Sequence, residues 1–274
     1  MYSEQGLLDD SNPDILLEKQ DNLFVRISVP DRGIVSSNQN RIERISTVLE
    51  QREIYEVPWG PKIYIGLYKN CKVFMASAPV GSGSGLMFTE LYSAGAQYIV
   101  RYGSDDLKSP EPTEKKLIKI IDETDNLFGF ERASGLDPSA CGKTIFASSE
   151  IISALNEEAL ERNLFVEKRV CHHLENYHAL RTPEKFSPKR REALENQLKA
   201  LKRDDKKESF DMESAVLFRV AKDFKRHAAA VLQTVDKENK NQGPYEGKNK
   251  AQALEMETVF TDYVLSALLR LKCK

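Results

Sequence analysis

Three short stretches of the sequence bring together residue types that can hold an anion or a sugar. In IVRYGS (residues 99–104) an arginine ends an apolar run, and Gly103 and Ser104 follow. A guanidinium at the end of a buried strand is costly unless it meets an anion or a carboxylate. Arg101 therefore predicts either a structural ion pair or an oxyanion site, with the hydroxyl of Ser104 and nearby backbone N–H groups as further donors. In SSNQNRIERIS (residues 36–46) a polar turn precedes an amphipathic helix with Arg41 in its opening turn, where the helix end favours anions. The plainer reading is an arginine on a solvent face. In ESFDMESAVLF (residues 208–218) Asp211 and Glu213 flank Met212 just before an apolar helix. They either complement the helix dipole or offer a carboxylate to sugar hydroxyls, with methionine packed on the sugar face.

Other motifs exclude chemistry. APVGSGSGLMFTEL (residues 78–91) follows an apolar run and leads into a helical pattern, a setting in which glycine-rich turns cradle phosphates. The dinucleotide pattern G-x-G-x-x-G is not met: Gly81, Gly83 and Gly85 are followed by Leu86 where the third glycine belongs, and the next strand leads to Arg101 rather than to an acid. ACGKT (residues 140–144) imitates the end of a P-loop, but Asp137 stands where a glycine is needed, and no apolar strand precedes it. Adjacent His172 and His173 point to opposite faces of a strand. No companion ligands lie nearby, so no metal is expected.

The chain that must position these residues has 274 amino acids, 41% hydrophobic and 30% charged, with a formal net charge of −2. A chain of this length can bury a full core without staples. The charge announces neither a nucleic-acid nor a membrane partner. Cys71, Cys141, Cys171 and Cys273 are scattered, as suits free thiols in a reducing compartment. The acidic, polar start lacks a signal-peptide pattern, and no apolar run approaches 18 residues, so a cytoplasmic protein is expected. One domain spanning residues 1–274 is expected, with residues 1–20 as a flexible segment. Residues 178–209, crowded with Lys, Arg and Glu, form either a solvated helical face or a charged lid or insertion.

Residues 22–29, 63–68, 72–77, 97–102, 117–122, 164–170 and 228–235 read as strands. Helical spacing marks residues 40–51, 85–95, 150–162, 213–224 and 254–272. Residues 104–116 and 237–250 read as polar loops. This alternation predicts an α/β layered fold, a single domain with a mixed, mostly parallel central sheet flanked by helices. Ligands of such sheets sit at the carboxyl ends of strands.

ASAPVGSGSG, IVRYGS and FDMESA, in this order, resemble the nucleoside phosphorylase family of bacterial-type purine nucleoside and uridine phosphorylases, whose signature at the third motif is E-M-E-[ST]-A. The resemblance implies a pentosyltransferase in which inorganic phosphate, a co-substrate rather than a cofactor, attacks the anomeric carbon of a nucleoside. Free base and pentose 1-phosphate are the products. It implies phosphate binding by Arg41, Arg101 and Ser104, with Arg101 also catalytic in positioning the nucleophile. Met212, Glu213 and Val80 would hold the ribose, Tyr177 and Arg181 would lie near the base, and Asp236 would protonate a purine. It also implies a homo-oligomer, either a dimer or a hexamer built as a trimer of dimers, because sites of the family are shared between subunits. A sister group hydrolyses nucleosides with water and does not need the phosphate arginines, so Arg41 and Arg101 favour phosphate.

The sequence also departs from the family pattern. SNQN replaces a glycine-bearing phosphate loop, and Trp59 stands near the place of an arginine lent to the neighbouring subunit, with Lys62 the nearest cation. Asp105 and Asp106 follow Ser104 where glycine is usual, and no N-terminal histidine is present. The uridine enzymes' Q-x-R pair is missing, which, with Asp236, leans the reading slightly to purines. A uridine phosphorylase and a non-catalytic nucleoside-binding homologue or subunit stay open as alternatives.

Overall fold

The computed structural model describes residues 22–57, 60–105, 118–176, 178, 182–201, 207–234 and 250–272. The first half of the chain runs β1 (Arg32–Ser36), α1 (Gln39–Ile45), β2 (Glu50–Glu56), β3 (Lys62–Tyr68), β4 (Cys71–Ser77), α2 (Ser84–Ser93), β5 (Tyr98–Asp105) and β6 (Ile118–Asp125). The second half runs α3 (Phe128–Ala133), β7 (Ile145–Phe146), α4 (Ser149–Glu161), β8 (Val166–His173), α5 (Pro188–Leu201), β9 (Glu208–Asp211), α6 (Ser214–Asp223), β10 (His227–Thr234) and α7 (Lys250–Leu269). The strands form one ten-stranded mixed sheet in the order β2-β3-β4-β1-β5-β10-β6-β8-β9, with β7 on β6. Strands β4, β1, β5 and β10 are mutually parallel, as are β6, β8 and β9. Antiparallel pairing joins β2 to β3, β3 to β4 and β10 to β6.

Helices cover both faces, which is why the inner strands are near-continuous apolar runs rather than alternating ones. On one face Met87, Phe88 and Leu91 of α2 meet Val216, Leu217 and Val220 of α6. On the other, Ile42 and Ile45 of α1 pack with Ile151 and Leu155 of α4 and with Phe260, Tyr263 and Val264 of α7. Full burial of such side chains contributes about 1.5–3 kcal/mol each. No helix among the described residues is long and apolar enough to cross a membrane.

The expected strand at residues 22–29 is not formed. The carboxylate of Glu90, buried on α2, accepts the N–H groups of Leu23, Phe24 and Val25 at 2.7–2.8 Å and takes the place of a strand partner. The helix expected over residues 40–51 ends at Ile45, passes through a short 3-10 turn, and gives way to β2. That strand is an edge strand, exposed along nearly its whole length, and its sequence EQREIYE carries no burial signal.

One curl of the sheet matters for the site. Strands β5, β10, β6, β8 and β9 bend until β9 touches β5. Asp105 accepts from Ser209 Oγ at 2.8 Å and from Phe210 N at 3.2 Å, and it is paired with Lys119 Nζ at 2.7 Å. Asp105 and Lys119 are both buried.

Candidate functional site

The ladder between β5 and β10 is unbroken from residue 98 to 105. Arg101 and Gly103 therefore face one side of the sheet, Tyr102 and Ser104 the other. Arg101 lies flat across Gly103, where a Cβ would come within 1.8 Å of its Nη1. A side chain at that position would displace the guanidinium. Nη2 is bonded to the carboxylate of Glu213, and Nη1 stands 2.7 Å from Asp211 Oδ2. All three side chains are buried. Nε and Nη1 nevertheless lack a well-directed hydrogen bond. Burial alone would lower the Arg101 value, but Asp211 and then Glu213 outweigh it and keep the guanidinium charged.

Each carboxylate is fixed from its other side. Asp211 accepts the Ser214 N–H at 3.1 Å and the Ser214 hydroxyl, which ties β9 to the start of α6. Glu213 accepts the Gly81 N–H at 2.8 Å. Gly81 adopts φ +70°, a left-handed conformation that glycine takes without strain. The Met212 methyl lies 3.5 Å from where a Cβ on Gly81 would stand, and the neighbouring Val80 is 62% exposed. The structure thus gathers Val80, Met212, Glu213 and Arg101 around the glycine turn. Beside them the buried Cys171 thiol is pushed well up by desolvation, with Asp211 and Asp105 adding to the effect and Arg101 opposing it.

Arg41 builds a second centre on the opposite face of β5. Asn38 caps α1 and takes the Arg41 N–H at 3.0 Å, so this backbone donor serves the cap. The guanidinium reaches Ser104 Oγ at 2.9 Å, Tyr102 O at 3.4 Å and Ser36 Oγ at 3.5 Å, and it covers the Tyr102 ring at 4.6 Å. It therefore bridges the carboxyl ends of β1 and β5. Its Nε is 3.2 Å from Glu257 Oε1, and Arg44 bonds both oxygens of that same carboxylate at 2.8 Å. Two arginines here share one carboxylate, whereas two carboxylates share Arg101.

The sequence-derived set divides accordingly. Arg41 meets Ser104, and Arg101 meets Glu213, which itself binds the turn after Val80, where Met212 also lies. Tyr177, Arg181, Asp236, Trp59 and Asp106 lie outside the described residues. Asp105 is turned into the curl between β5 and β9, paired with Lys119.

Residues at the end of β8 complete the neighbourhood without having been singled out as a site from the sequence. The two histidines do face opposite ways: His172 Nδ1 meets Asp125 Oδ1 at 2.6 Å, and His173 Nε2 is 3.2 Å from Glu175 Oε1. Glu175 also accepts the Ser82 hydroxyl at 2.8 Å. His173 and Glu175 line a cavity of about 200 Å³ together with Asn126 and Phe128, roofed by Arg190, Leu194 and Gln197 of α5. The only signal in the sequence was the adjacent histidine pair at the end of an apolar run.

No protein-family model and no curated protein sequence matches the chain. Solved structures do. A uridine phosphorylase from Vibrio fischeri superposes with a TM-score of 0.70 at 15% identity, covering 91% of this chain and 98% of that one. A purine nucleoside phosphorylase from Toxoplasma gondii gives 0.69 at 16% identity, covering 93% and 94%. The 5'-methylthioadenosine/S-adenosyl homocysteine nucleosidase of Campylobacter jejuni gives 0.66 at 16% identity, covering 88% and 100%. The chain has the fold shared by nucleoside phosphorylases and nucleosidases, as the three motifs implied.

Proposed function

We propose that the protein cleaves the N-glycosidic bond of a nucleoside, with inorganic phosphate as the attacking group. The observation that carries this reading is the junction at Glu213. One carboxylate, oriented by Gly81 N–H and Arg101, stands beside an open glycine turn at the carboxyl ends of parallel strands. A carboxylate so held accepts the hydroxyls of a ribose and fixes the sugar while its anomeric carbon gains positive charge, as in glycoside cleavage.

The phosphate belongs at the carboxyl ends of β1 and β5, which the Arg41 guanidinium bridges. There two arginines face one carboxylate, and the hydroxyls of Ser36 and Ser104 converge on the same guanidinium. Arg101, enclosed by Asp211 and Glu213, acts chiefly to set the ribose carboxylate, and its unsatisfied Nε and Nη1 can turn to an oxyanion on the sugar's underside. A purine nucleoside is the first substrate to assay, on the strength of Asp236, and assembly into a homo-oligomer belongs to the same reading.

A second reading, hydrolysis by water, is favoured by one observation: the excess of carboxylate around Arg101 disfavours a dianion there. The assay separates the two. Inosine, adenosine and uridine are incubated with the protein with and without phosphate, and release of free base is followed. Phosphate-dependent release with formation of a pentose 1-phosphate is expected. Equal release without phosphate would establish the hydrolytic reading, and no release from any nucleoside would leave a binding homologue.

A further inference from the structure

A second cavity, of about 390 Å³, opens where β7, the start of α4, the end of α6 and the start of β10 meet. Its volume lies within the range of about 300–1,000 Å³ that suits small-molecule ligands. Two cations, Lys222 and Arg226, line it, and none of its lining residues is acidic. Among the described residues neither cation has an ion-pair partner, and Arg226 Nε makes no hydrogen bond. The nearby carboxylates are committed elsewhere. Asp223 and Glu131 pair with Arg219, and Glu150 Oε2 stands 3.8 Å from His227 Nδ1.

The helix end beside these cations is also short of acceptors. Ser148 stands at the N-cap of α4, but its hydroxyl makes no cap bond and instead accepts the Ala228 N–H at 2.9 Å. The first-turn N–H groups of α4 therefore have no side-chain cap, and the Ser148 hydroxyl keeps a proton to donate. Such a helix end carries partial positive charge. The end of α6 does not cancel it, because the N–H groups of Phe224, Lys225 and Arg226 take the carbonyls of Val220, Lys222 and Ala221 at 2.8–3.2 Å. The cavity has an apolar part as well. Phe146 of β7 lines it while 69% exposed, and the buried Phe218 of α6 adds a second ring.

We propose that this cavity is a binding site for a phosphate monoester with a flat, apolar body. The phosphate lies between Lys222, Arg226 and the first turn of α4, where N–H groups and the hydroxyls of Ser148 and Ser149 meet its oxygens. The apolar body covers Phe146 and Phe218, which removes ring surface from water. The site is separate from the one at Glu213. Glu213 caps the start of α6, whereas Lys222 lies near its end, about 13 Å further along the helix. The inference goes beyond nucleoside cleavage and does not depend on it.

The probe is phenyl phosphate, titrated into the full chain by calorimetry. Arg41→Ala serves as the background, because Arg41 is the proposed phosphate ligand of the other centre. Saturable binding of phenyl phosphate should persist in that background. Adding Lys222→Gln or Arg226→Gln should weaken it by about 10–100-fold, the loss expected for a hydrogen bond to a charged group. Inorganic phosphate should bind at least about tenfold more weakly than phenyl phosphate, because it leaves the two rings uncovered. Binding that disappears in Arg41→Ala alone would place the ligand at the other centre and overturn the inference. So would equal binding of benzyl alcohol, which lacks the charge, or of inorganic phosphate, which lacks the ring. Should Arg226→Gln fail to fold, Lys222→Gln decides the matter, because that side chain is exposed. An unchanged affinity in Lys222→Gln would overturn the site.

Discussion

Arg41 and Arg101 are about equally buried, 2% and 3% exposed, and stand on opposite faces of β5, yet they are held by different partners. Arg41 shares Glu257 with Arg44 and reaches the hydroxyls of Ser36 and Ser104. Arg101 is held between Asp211 and Glu213, which leaves an excess of negative charge. From sequence the two arginines look alike, each beside a polar turn. In the fold they suit different tasks. A guanidinium set among hydroxyls at the strand ends is suited to an incoming anion, whereas one already matched by two carboxylates serves to orient them.

The largest effect expected from breaking this contrast is on stability. Arg101→Ala removes the only cation paired with Asp211 and Glu213 among the described contacts and leaves two carboxylates buried together. Breaking a buried pair in this way costs about 3–5 kcal/mol, read as a lower urea midpoint at unchanged slope. Nucleoside cleavage should be lost as well. A midpoint that does not move would show that the carboxylates do not depend on Arg101.

Arg41→Ala should act in the opposite proportion. Glu257 keeps both hydrogen bonds to Arg44, so no buried carboxylate is stranded. The expected loss of stability is about 1.5–3 kcal/mol, the range for hydrogen bonds to a charged group. The functional loss should instead concentrate on phosphate, with KM for phosphate rising at least about tenfold while binding of the nucleoside is kept. If the phosphate KM is unchanged, the anion does not sit at the Arg41 centre.

How much of this was legible in the sequence follows from where each signal resides. Strands β3, β4, β5 and β10 announce themselves because burial on both faces demands apolar runs. β2 and β9 do not: one is an exposed edge strand, and the other is four residues long. The false strand at residues 22–29 is an apolar run whose N–H groups are taken by Glu90, a long-range partner that no local pattern reveals. The site behaves in the same way. Residue types and order pointed to Arg41, Arg101, Ser104, Met212 and Glu213. Which arginine meets which carboxylate is set by contacts across 112 residues for Arg101 and Glu213, and across 216 for Arg41 and Glu257. His173 escaped notice because its cavity is made jointly by β8, the start of α3 and a face of α5.

The smallest expected effect reports on the Arg101 centre from a neighbouring side chain. Cys171 lies inside the curl, and desolvation first, then Asp211 and Asp105, push its thiol well above the ordinary value of 9.0. In the folded protein it stays protonated at a pH where the unfolded chain has begun to ionise. The unfolded state then binds fewer protons than the native one, so this contribution is fully present below 9.0 and is lost as pH rises beyond it. Cys171→Ala should therefore flatten the alkaline fall in stability, measured by urea unfolding between about pH 8 and pH 10. The same thiol should resist alkylation at pH 8 while the exposed Cys71 reacts. Rapid labelling of Cys171 in the folded protein would show that the carboxylate-rich centre is open to solvent, and the pairing of Arg101 with Asp211 and Glu213 would then be weakened by water.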